Sequence, residues 1–414
     1  MAHDIDTFLL TKYFQNSQKT DQVISDALLK WFGALSSENG DVTRKAASSF
    51  LQELAQVHLR ELHLPEEPQK GLIKIFEPLE NIFRLALSLS EKGKMRDHLS
   101  HTIRNYLLSH FILFKINRPF NSHVFKILTI ASIFHDISYP IEKFKSGTKE
   151  ISDKLFKEYL DSRGVLDWEL TNSANLLEIL DIIGKSEHEG LQYIFKNIVA
   201  PAIAGEGLFN SPHCQSSVVL FLRHIINDWK RSASYWKTKS DEISNICLAM
   251  AFHDRKMFPK LDIWEKEAVD AIRALRIADE LQEWGRDDED LSFVNNVKVV
   301  ESGKQDIFLH LEFLLKNRKD RLPFKPSNFI GDKLVGLIPV IDSEKIIITF
   351  KLPEATESGF QKSLFDHVVK TKFFNSRNEE LLNAKSIKFL SVNEIGKTVN
   401  LFVNNKKAEV EVLT

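Results

Sequence analysis

The tripeptide Phe-His-Asp occurs twice in the sequence, each time at the end of an apolar segment. The first copy lies in ASIFHDISYP, residues 131–140, and the second in AMAFHDRKMFP, residues 249–259. Imidazole and carboxylate groups suit divalent transition metals, whereas Ca²⁺ prefers sites built from oxygen alone. The two copies therefore raise the question of whether both serve one metal site.

Three histidines occupy positions where a helical apolar pattern would carry Leu or Ala. They are His101 in RDHLSHTIRNYLL, His135 in the first Phe-His-Asp copy and His253 in the second. A buried imidazole without a partner is costly, so each of these side chains needs one. One such histidine alone is typical of a hydrogen-bonded core residue, but several together favour a shared metal site.

Other chemistry-bearing motifs are missing from the sequence. It contains no phosphate-binding G-x-x-x-x-G-K-[ST] loop, no G-x-G-x-x-G after a predicted strand and no C-x-x-C pair. Cys214 and Cys247 are too few for a disulfide framework and fit a reducing cytoplasm. Because no basic partner is predicted for Cys214, we expect a buried structural thiol there and no nucleophile.

An ordered set of histidines and aspartates extends the pattern along the chain. Over residues 90 to 290 it resembles the H…HD…H…H…D set of the HD superfamily of metal-dependent hydrolases. HDISYPIEK resembles the family's HD-I-G-x-P segment, with Ser138 where Gly is usual, and RIADELQEWGR resembles its last metal-binding helix. The metal ligands that this resemblance implies are His101, His135, Asp136, His213, His253 and Asp279.

The resemblance implies two neighbouring metal positions that share one carboxylate. Consecutive side chains leave a helix about 100° apart, so His135 and Asp136 can flank one site, and Asp136 would bridge both ions. His101, His135 and Asp279 would lie on one side, and His213 and His253 on the other. The expected cofactor is one or two divalent transition-metal ions, namely Mn²⁺, Fe²⁺, Co²⁺, Ni²⁺ or Zn²⁺.

Only the first Phe-His-Asp copy supplies an aspartate ligand in this pattern. Asp254 is therefore expected beside the site, as an acceptor for a ligand or as a helix-end charge. The third ligand position has two candidates: His213, which follows a proline at the start of a predicted helix, and His188 in KSEHEG. His213 is favoured because of that helix start.

Further residues are expected to act on the substrate. His98 lies three residues before His101 on the same predicted helix and can face the same cavity. The expected catalytic residues are Asp136, His98 and Lys143. Phosphate oxygens need positive partners, and the candidates nearest to the motifs are Arg96, Lys143 and Arg286.

The resemblance implies a phosphohydrolase or phosphodiesterase that acts on a nucleotide-type phosphoester through a metal-activated water. The same ligand order is found in HD-fold di-iron oxygenases that resemble myo-inositol oxygenase, and the ligands alone do not separate the two classes. A non-catalytic nucleotide sensor built on the same scaffold is the third hypothesis.

The elements that must position these residues are mostly helical. Apolar residues recur at three and four positions as far as about residue 290, and DIWEKEAVDAIRALRIADELQEWG predicts a long helix from Asp262 to Gly285. After residue 290, β-branched and aromatic segments predict strands, with one helix over SGFQKSLFDHVVKTKFF. The predicted fold class is mainly α: an N-terminal helical region (1–88), an all-helical HD bundle (89–290) and a smaller C-terminal α+β domain (291–414).

Composition and charge limit the partners and the location of the protein. The chain of 414 residues has 43% hydrophobic residues and a net charge of −2, so no overall field favours nucleic acid, although a local basic groove remains compatible. The N-terminus lacks the pattern of a signal peptide, and the apolar runs are too short to span a bilayer. We expect a soluble cytoplasmic enzyme without a membrane partner, with homo-oligomerisation as an open possibility.

Overall fold

The structure is a computed structural model of the 414-residue chain. The residues that it describes are 3–16, 21–37, 39–64, 66–76, 98–116, 121–140, 142, 189–201, 212–226, 233–254, 257, 264–282, 294–299, 309–315, 326–337, 340, 346–351, 363, 390–392, 398–403 and 406–413.

The described part of the chain is predominantly helical, as the apolar periodicity predicts. Its α-helices are α1 (His3–Asn16), α2 (Gln22–Ala34), α3 (Gly40–Glu61), α4 (Glu66–Lys74), α5 (His98–Ile116), α6 (Ser122–Phe134), α7 (Glu189–Ile194), α8 (His213–Ile226), α9 (Ala233–Phe252), α10 (Lys266–Leu281) and α11 (Pro326–Leu337). A π-helical turn, Phe195–Val199, continues α7.

Several helices begin at a side chain that caps their first backbone amides. Asp21 accepts a hydrogen bond from the amide of Val23 before α2, and Asn121 accepts one from the amide of His123 before α6. Asn39 caps α3 in the same way. Such caps satisfy amides that have no partner inside the helix, which fixes where each helix starts.

One continuous hydrophobic cluster joins the N-terminal helices to the later ones. Its largest fully buried aromatic side chains are Trp31, Phe50, Tyr106, Phe134, Phe221 and Phe252. Helix α5 packs against α1, α3, α6 and α10. A buried ion pair between Arg104 and Asp6 (3.0 Å) and a hydrogen bond between the hydroxyls of Tyr13 and Tyr106 (2.7 Å) tie α1 to α5.

The later part of the chain contains strands β1 (Val294–Val299), β2 (Leu309–Leu315), β3 (Ile346–Lys351), β4 (Leu390–Val392), β5 (Thr398–Val403) and β6 (Lys406–Leu413). They pair in the order β1-β2-β3-β6-β5-β4. The pairs β2/β3 and β3/β6 are parallel, and the other pairs are antiparallel. A separate C-terminal α+β domain stays a prediction, and the helix predicted over residues 358–374 lies almost wholly outside the described residues.

Helix α11 packs against α10, the helix that carries Asp279. Arg276 of α10 donates from Nε to the carbonyl oxygen of Gly336 (2.7 Å) and from Nη1 to the carbonyl oxygen of Met257 (2.6 Å). Helix α10 begins at Lys266 and not at Asp262 as predicted, because Glu265 before it has an extended backbone (ψ 150°). It ends at Leu281, and Gly285 lies outside the described residues.

The predicted domain boundaries near residues 88 and 290 also lie outside the described ranges and stay predictions. Within those ranges, no helix combines the length and the apolar character that a membrane crossing requires.

Candidate metal centre

The two Phe-His-Asp copies occupy equivalent places in the fold. Phe134 is the last residue of α6, and Phe252 is the last residue of α9, so each His-Asp pair follows the end of a helix. The apolar residues before each copy are buried in the core, and both histidines are fully buried. The helix ends therefore deliver two imidazoles and two carboxylates into one interior region.

A first donor group consists of His101, His135, Asp136 and Asp279, whose nearest ligand atoms all lie within 4.8 Å of one another. His101 Nε2 is 3.1 Å from Asp279 Oδ1 and 3.7 Å from Asp136 Oδ2. His135 Nε2 is 3.6 Å from the same Asp136 oxygen. The side chain of Asp279 is 16% exposed, whereas the other three are at most 3% exposed, so the group opens on the Asp279 side.

A second donor group consists of Asp136, His213 and His253. Asp136 Oδ1 lies 3.2 Å from His213 Nε2 and 3.1 Å from His253 Nε2, and the two nitrogens are 3.3 Å apart. Asp136 thus turns one carboxylate oxygen to each donor group. This is the geometry that a carboxylate shared between two cations requires.

The two Phe-His-Asp histidines are oriented by identical hydrogen bonds. His135 Nδ1 lies 2.8 Å from the carbonyl oxygen of Ser132, three residues earlier. His253 Nδ1 contacts the carbonyl oxygen of Met250, also three residues earlier. A carbonyl oxygen only accepts, so Nδ1 carries the proton and donates, and the lone pair of the neutral ring lies on Nε2.

Side chains orient the other two histidines in the same sense. His213 Nδ1 lies 3.0 Å from Glu142 Oε2, and His101 Nδ1 contacts Gln282 Oε1. All four imidazoles therefore direct Nε2 into the cluster while Nδ1 is held by an acceptor. Metal-binding histidines in proteins show this arrangement, because the outer acceptor fixes the ring and its tautomer.

The electrostatics around His135 and Asp136 favour an ionised carboxylate beside a neutral imidazole. Burial lowers the pKa of His135 to about 4, although Asp136 next to it acts in the opposite direction. Burial alone would raise the pKa of Asp136, but the imidazoles of His135 and His213 hold it well below its usual range. At neutral pH these two residues are in the protonation states that a metal ligand needs.

His213 and His253 hold protons more tightly. Burial lowers the pKa of His213, but the Asp136 carboxylate outweighs burial and raises it well above its ordinary value. The same competition raises the pKa of His253. A cation that bound at these Nε2 atoms would displace protons, so its affinity would increase with pH.

Asp254, the aspartate of the second copy, is buried beside the cluster without belonging to either donor group. Its Oδ2 is 3.6 Å from His213 Nε2, farther away than Asp136 Oδ1 at 3.2 Å. The two copies thus place their histidines alike and their aspartates differently.

Among the predicted substrate residues, His98 is described and buried in the first turn of α5. Its ring stacks on Tyr139, with centroids 5.7 Å apart, and the Tyr139 ring meets His213 edge-on at 5.6 Å. His98 therefore lies on the His213 side of the cluster. The predicted residues that lie outside the described ranges are Arg96, Lys143, His188 and Arg286.

Three further residues at the cluster lie within the quoted segments but were not predicted as site residues. They are Asn105, Glu142 and Gln282. Helical spacing offered a signal for two of them: Asn105 follows His101 by four residues, and Gln282 follows Asp279 by three. Ser138 donates from Oγ to the carbonyl oxygen of His213 (2.6 Å) and so ties the turn after α6 to α8.

Comparison of the chain with protein-family models, with curated proteins and with solved structures gives no match. The chemistry of the cluster is therefore the basis for assigning a function. Its donors are imidazole nitrogens with inward lone pairs together with carboxylates, and this set fits a divalent transition metal.

Proposed function

We propose that the cluster binds one or two divalent transition-metal ions and that the protein is a metal-dependent phosphohydrolase of the HD type. The observation that carries this proposal is the shared carboxylate: Asp136 turns one oxygen to each donor group, 3.1–3.2 Å from one pair of Nε2 atoms and 3.6–3.7 Å from the other. A nucleotide-type phosphoester as substrate is inferred from the resemblance of the ordered ligand set.

When bound, a pair of such cations would supply the charge that makes water nucleophilic near neutral pH and that stabilises phosphate oxygens. Asp136 would neutralise part of the charge of both ions and hold them at a fixed separation. Ser132 and Met250, through their carbonyl oxygens, and Glu142 and Gln282, through their side chains, keep the four imidazoles turned inward. Pre-set ligands reduce the reorganisation needed during the reaction.

His98 is proposed as the group that exchanges a proton with the leaving oxygen. It is 5% exposed, and its ring is held by stacking on Tyr139, so it has a fixed position beside the His213 side of the cluster. Imidazole is the side chain that most often acts as a general acid or base in enzymes. The proposed contacts of phosphate with Arg96, Lys143 and Arg286 stay predictions, as do the cytoplasmic location and homo-oligomerisation.

The test combines metal analysis with a substrate panel. The full chain is purified, its metal content is measured by mass spectrometry, and deoxynucleoside triphosphates, cyclic nucleotides and nucleoside monophosphates are assayed with added Mn²⁺. We expect bound metal and metal-dependent release of phosphate or cleavage of a phosphodiester. A protein that contains no metal and gains none on titration would refute the proposal.

The same purification separates the alternative functions. Protein prepared without oxygen that contains iron, consumes O₂ and hydrolyses no phosphoester would indicate the di-iron oxygenase class. Tight nucleotide binding without turnover, in protein that retains its metal, would indicate a sensor.

A further inference from the structure

Asn105 lies at the centre of the first donor group, although no motif points to it. Its side chain is fully buried on α5, one helical turn after His101. Asn105 Nδ2 is 3.1 Å from His101 Nε2, 3.2 Å from His135 Nε2 and 2.9 Å from Asp279 Oδ1. Among the described residues, Asn105 Oδ1 has no hydrogen-bond partner, although it too is buried.

These distances match the separations between donor atoms that bind the same metal ion. Donor atoms bonded to a transition metal at about 2.1 Å stand roughly 3.0–3.4 Å apart in octahedral or tetrahedral geometry. The inward atom of the Asn105 amide has nearly this separation from three donors at once. The amide is therefore located where an additional ligand would stand.

The hydrogen-bond count disfavours a nitrogen at this position once a cation is bound. An amide NH₂ has two hydrogens, and here it faces three acceptor atoms, those of His101, His135 and Asp279. If those lone pairs bind a cation, they no longer accept, and the amide hydrogens point at positive charge. Rotation of the amide by 180° exchanges its two ends, which have nearly the same shape, and presents the carbonyl oxygen instead.

This rotation sacrifices no bond of Oδ1, because that atom makes none with the described residues. A buried carbonyl oxygen without a donor is costly, so the arrangement with nitrogen inward leaves one polar atom unsatisfied. A cation facing Oδ1 would satisfy it.

We propose that Asn105 Oδ1 is a further ligand of the metal ion held by His101, His135, Asp136 and Asp279. The inference rests on the proposed metal site and adds a neutral oxygen to it. The first donor group then has five donor residues, whereas the second has three. Two consequences follow: the first group favours Mn²⁺ or Fe²⁺, which accept higher coordination numbers with oxygen ligands, over tetrahedral Zn²⁺, and the second group keeps more positions for water and substrate.

The experiment compares Asn105→Leu, which removes both polar atoms, with Asn105→Asp, which keeps an oxygen and removes the amide hydrogens. Ser109→Ala is the matched control, because Ser109 is also buried on α5, but its hydroxyl contacts the Ser132 hydroxyl (3.1 Å) and the Tyr106 carbonyl oxygen (3.0 Å), neither of which is a donor atom of the cluster. Mn²⁺ affinity is measured by calorimetry on the full chain, and the coordination number by the visible spectrum of Co²⁺-loaded protein.

We expect Asn105→Leu to bind Mn²⁺ at the first donor group at least about 10–100-fold more weakly than the wild type. That range is typical for the loss of an outer hydrogen-bond partner. Its Co²⁺ spectrum should become more intense, as a lower coordination number produces. Asn105→Asp should bind at least as tightly as the wild type, and Ser109→Ala should match the wild type. If Leu is too large for the site to fold, Asn105→Ala carries the same expectation.

Two results would overturn the inference while leaving the metal site standing. One is wild-type affinity and an unchanged Co²⁺ spectrum in Asn105→Leu. The other is a loss of affinity in Asn105→Asp as large as in Asn105→Leu, which would show that the amide hydrogens matter and the oxygen does not. A wild-type chain that binds neither Mn²⁺ nor Co²⁺ would refute the proposed metal site and this inference together.

Discussion

Helix α5 carries two buried histidines, His101 and His110, whose surroundings differ in kind. They are nine residues apart, which places them on opposite faces of the helix. His110 Nδ1 is 2.7 Å from the carbonyl oxygen of Tyr106, and its Nε2 is 2.8 Å from the hydroxyl of Thr129. His101 instead directs Nε2 at the carboxylate of Asp279 and at Asn105.

The comparison shows that burial alone does not identify a metal ligand. His110 satisfies both nitrogens with a carbonyl and a hydroxyl, and burial lowers its pKa to about 3, so it is a neutral core residue. At the cluster, four Nε2 atoms converge on the carboxylates of Asp136 and Asp279. The deciding feature is the chemistry that faces the second nitrogen.

The largest expected effect concerns Asp136. Asp136→Ala should abolish the proposed phosphohydrolase activity and strongly lower metal content, because without the shared carboxylate two cations would repel each other. Asp254→Ala is the matched variant from the second Phe-His-Asp copy, and it should retain metal, with at most a loss of about 10–100-fold. Both are measured by metal analysis and by the nucleotide assay. Equal losses in the two variants would show that the copies are equivalent.

Replacing His101 or His110 with Ala tests the difference between the two histidines directly. His101→Ala should lose the increase in melting temperature that added Mn²⁺ gives the wild type, because it removes a ligand. His110→Ala should keep that increase but lower the free energy of unfolding by about 2–4 kcal/mol, through a cavity and lost hydrogen bonds. Thermal and urea unfolding, with and without Mn²⁺, measure both quantities. An unchanged Mn²⁺ response in His101→Ala would place His101 with the core histidines.

The six candidate metal ligands could be predicted from the sequence, whereas the residues that orient them could not. The six motif residues lie at helix ends and in ordered spacing, so one sequence pattern included them all. The contacts of Glu142 with His213 and of Gln282 with His101 depend on long-range packing: Gln282 is 181 positions from His101, although it follows Asp279 by three. Helix α11 was not predicted because Gly331 and Gly336 weaken its helical signal, and packing against α10 supports it. The strands after residue 290 were predicted from β-branched and aromatic residues with partial alternation.

Glu142 offers a smaller test, of the outer hydrogen bonds. Glu142→Ala removes the acceptor of His213 Nδ1, so Mn²⁺ affinity at the second donor group should fall by about 10–100-fold. Glu142→Gln should fall less, because its amide oxygen still accepts. Calorimetric titration distinguishes the two. Identical affinities for both variants and the wild type would mean that this hydrogen bond does not orient the ring.

A further prediction concerns the pH dependence of the metal-free protein. The pKa of His110 is lowered to about 3 in the fold, below its ordinary value of 6.5, so between these values the unfolded chain binds the extra proton. Stability is then lost as pH falls below 6.5, by up to about 1.4 kcal/mol per pH unit for this histidine. His110→Gln should flatten the slope of unfolding free energy against pH between 6.5 and 4. A slope equal to that of the wild type would contradict this assignment.

Asp136 is proposed to serve two metal positions at once. Diffraction from crystals of the full chain grown with Mn²⁺, recorded with anomalous scattering, tests this sharing. We expect one anomalous peak among His101, His135 and Asp279, a second beside His213 and His253, and one Asp136 oxygen directed at each. Crystals with no peak at the cluster, or with Asp136 touching neither ion, would contradict it.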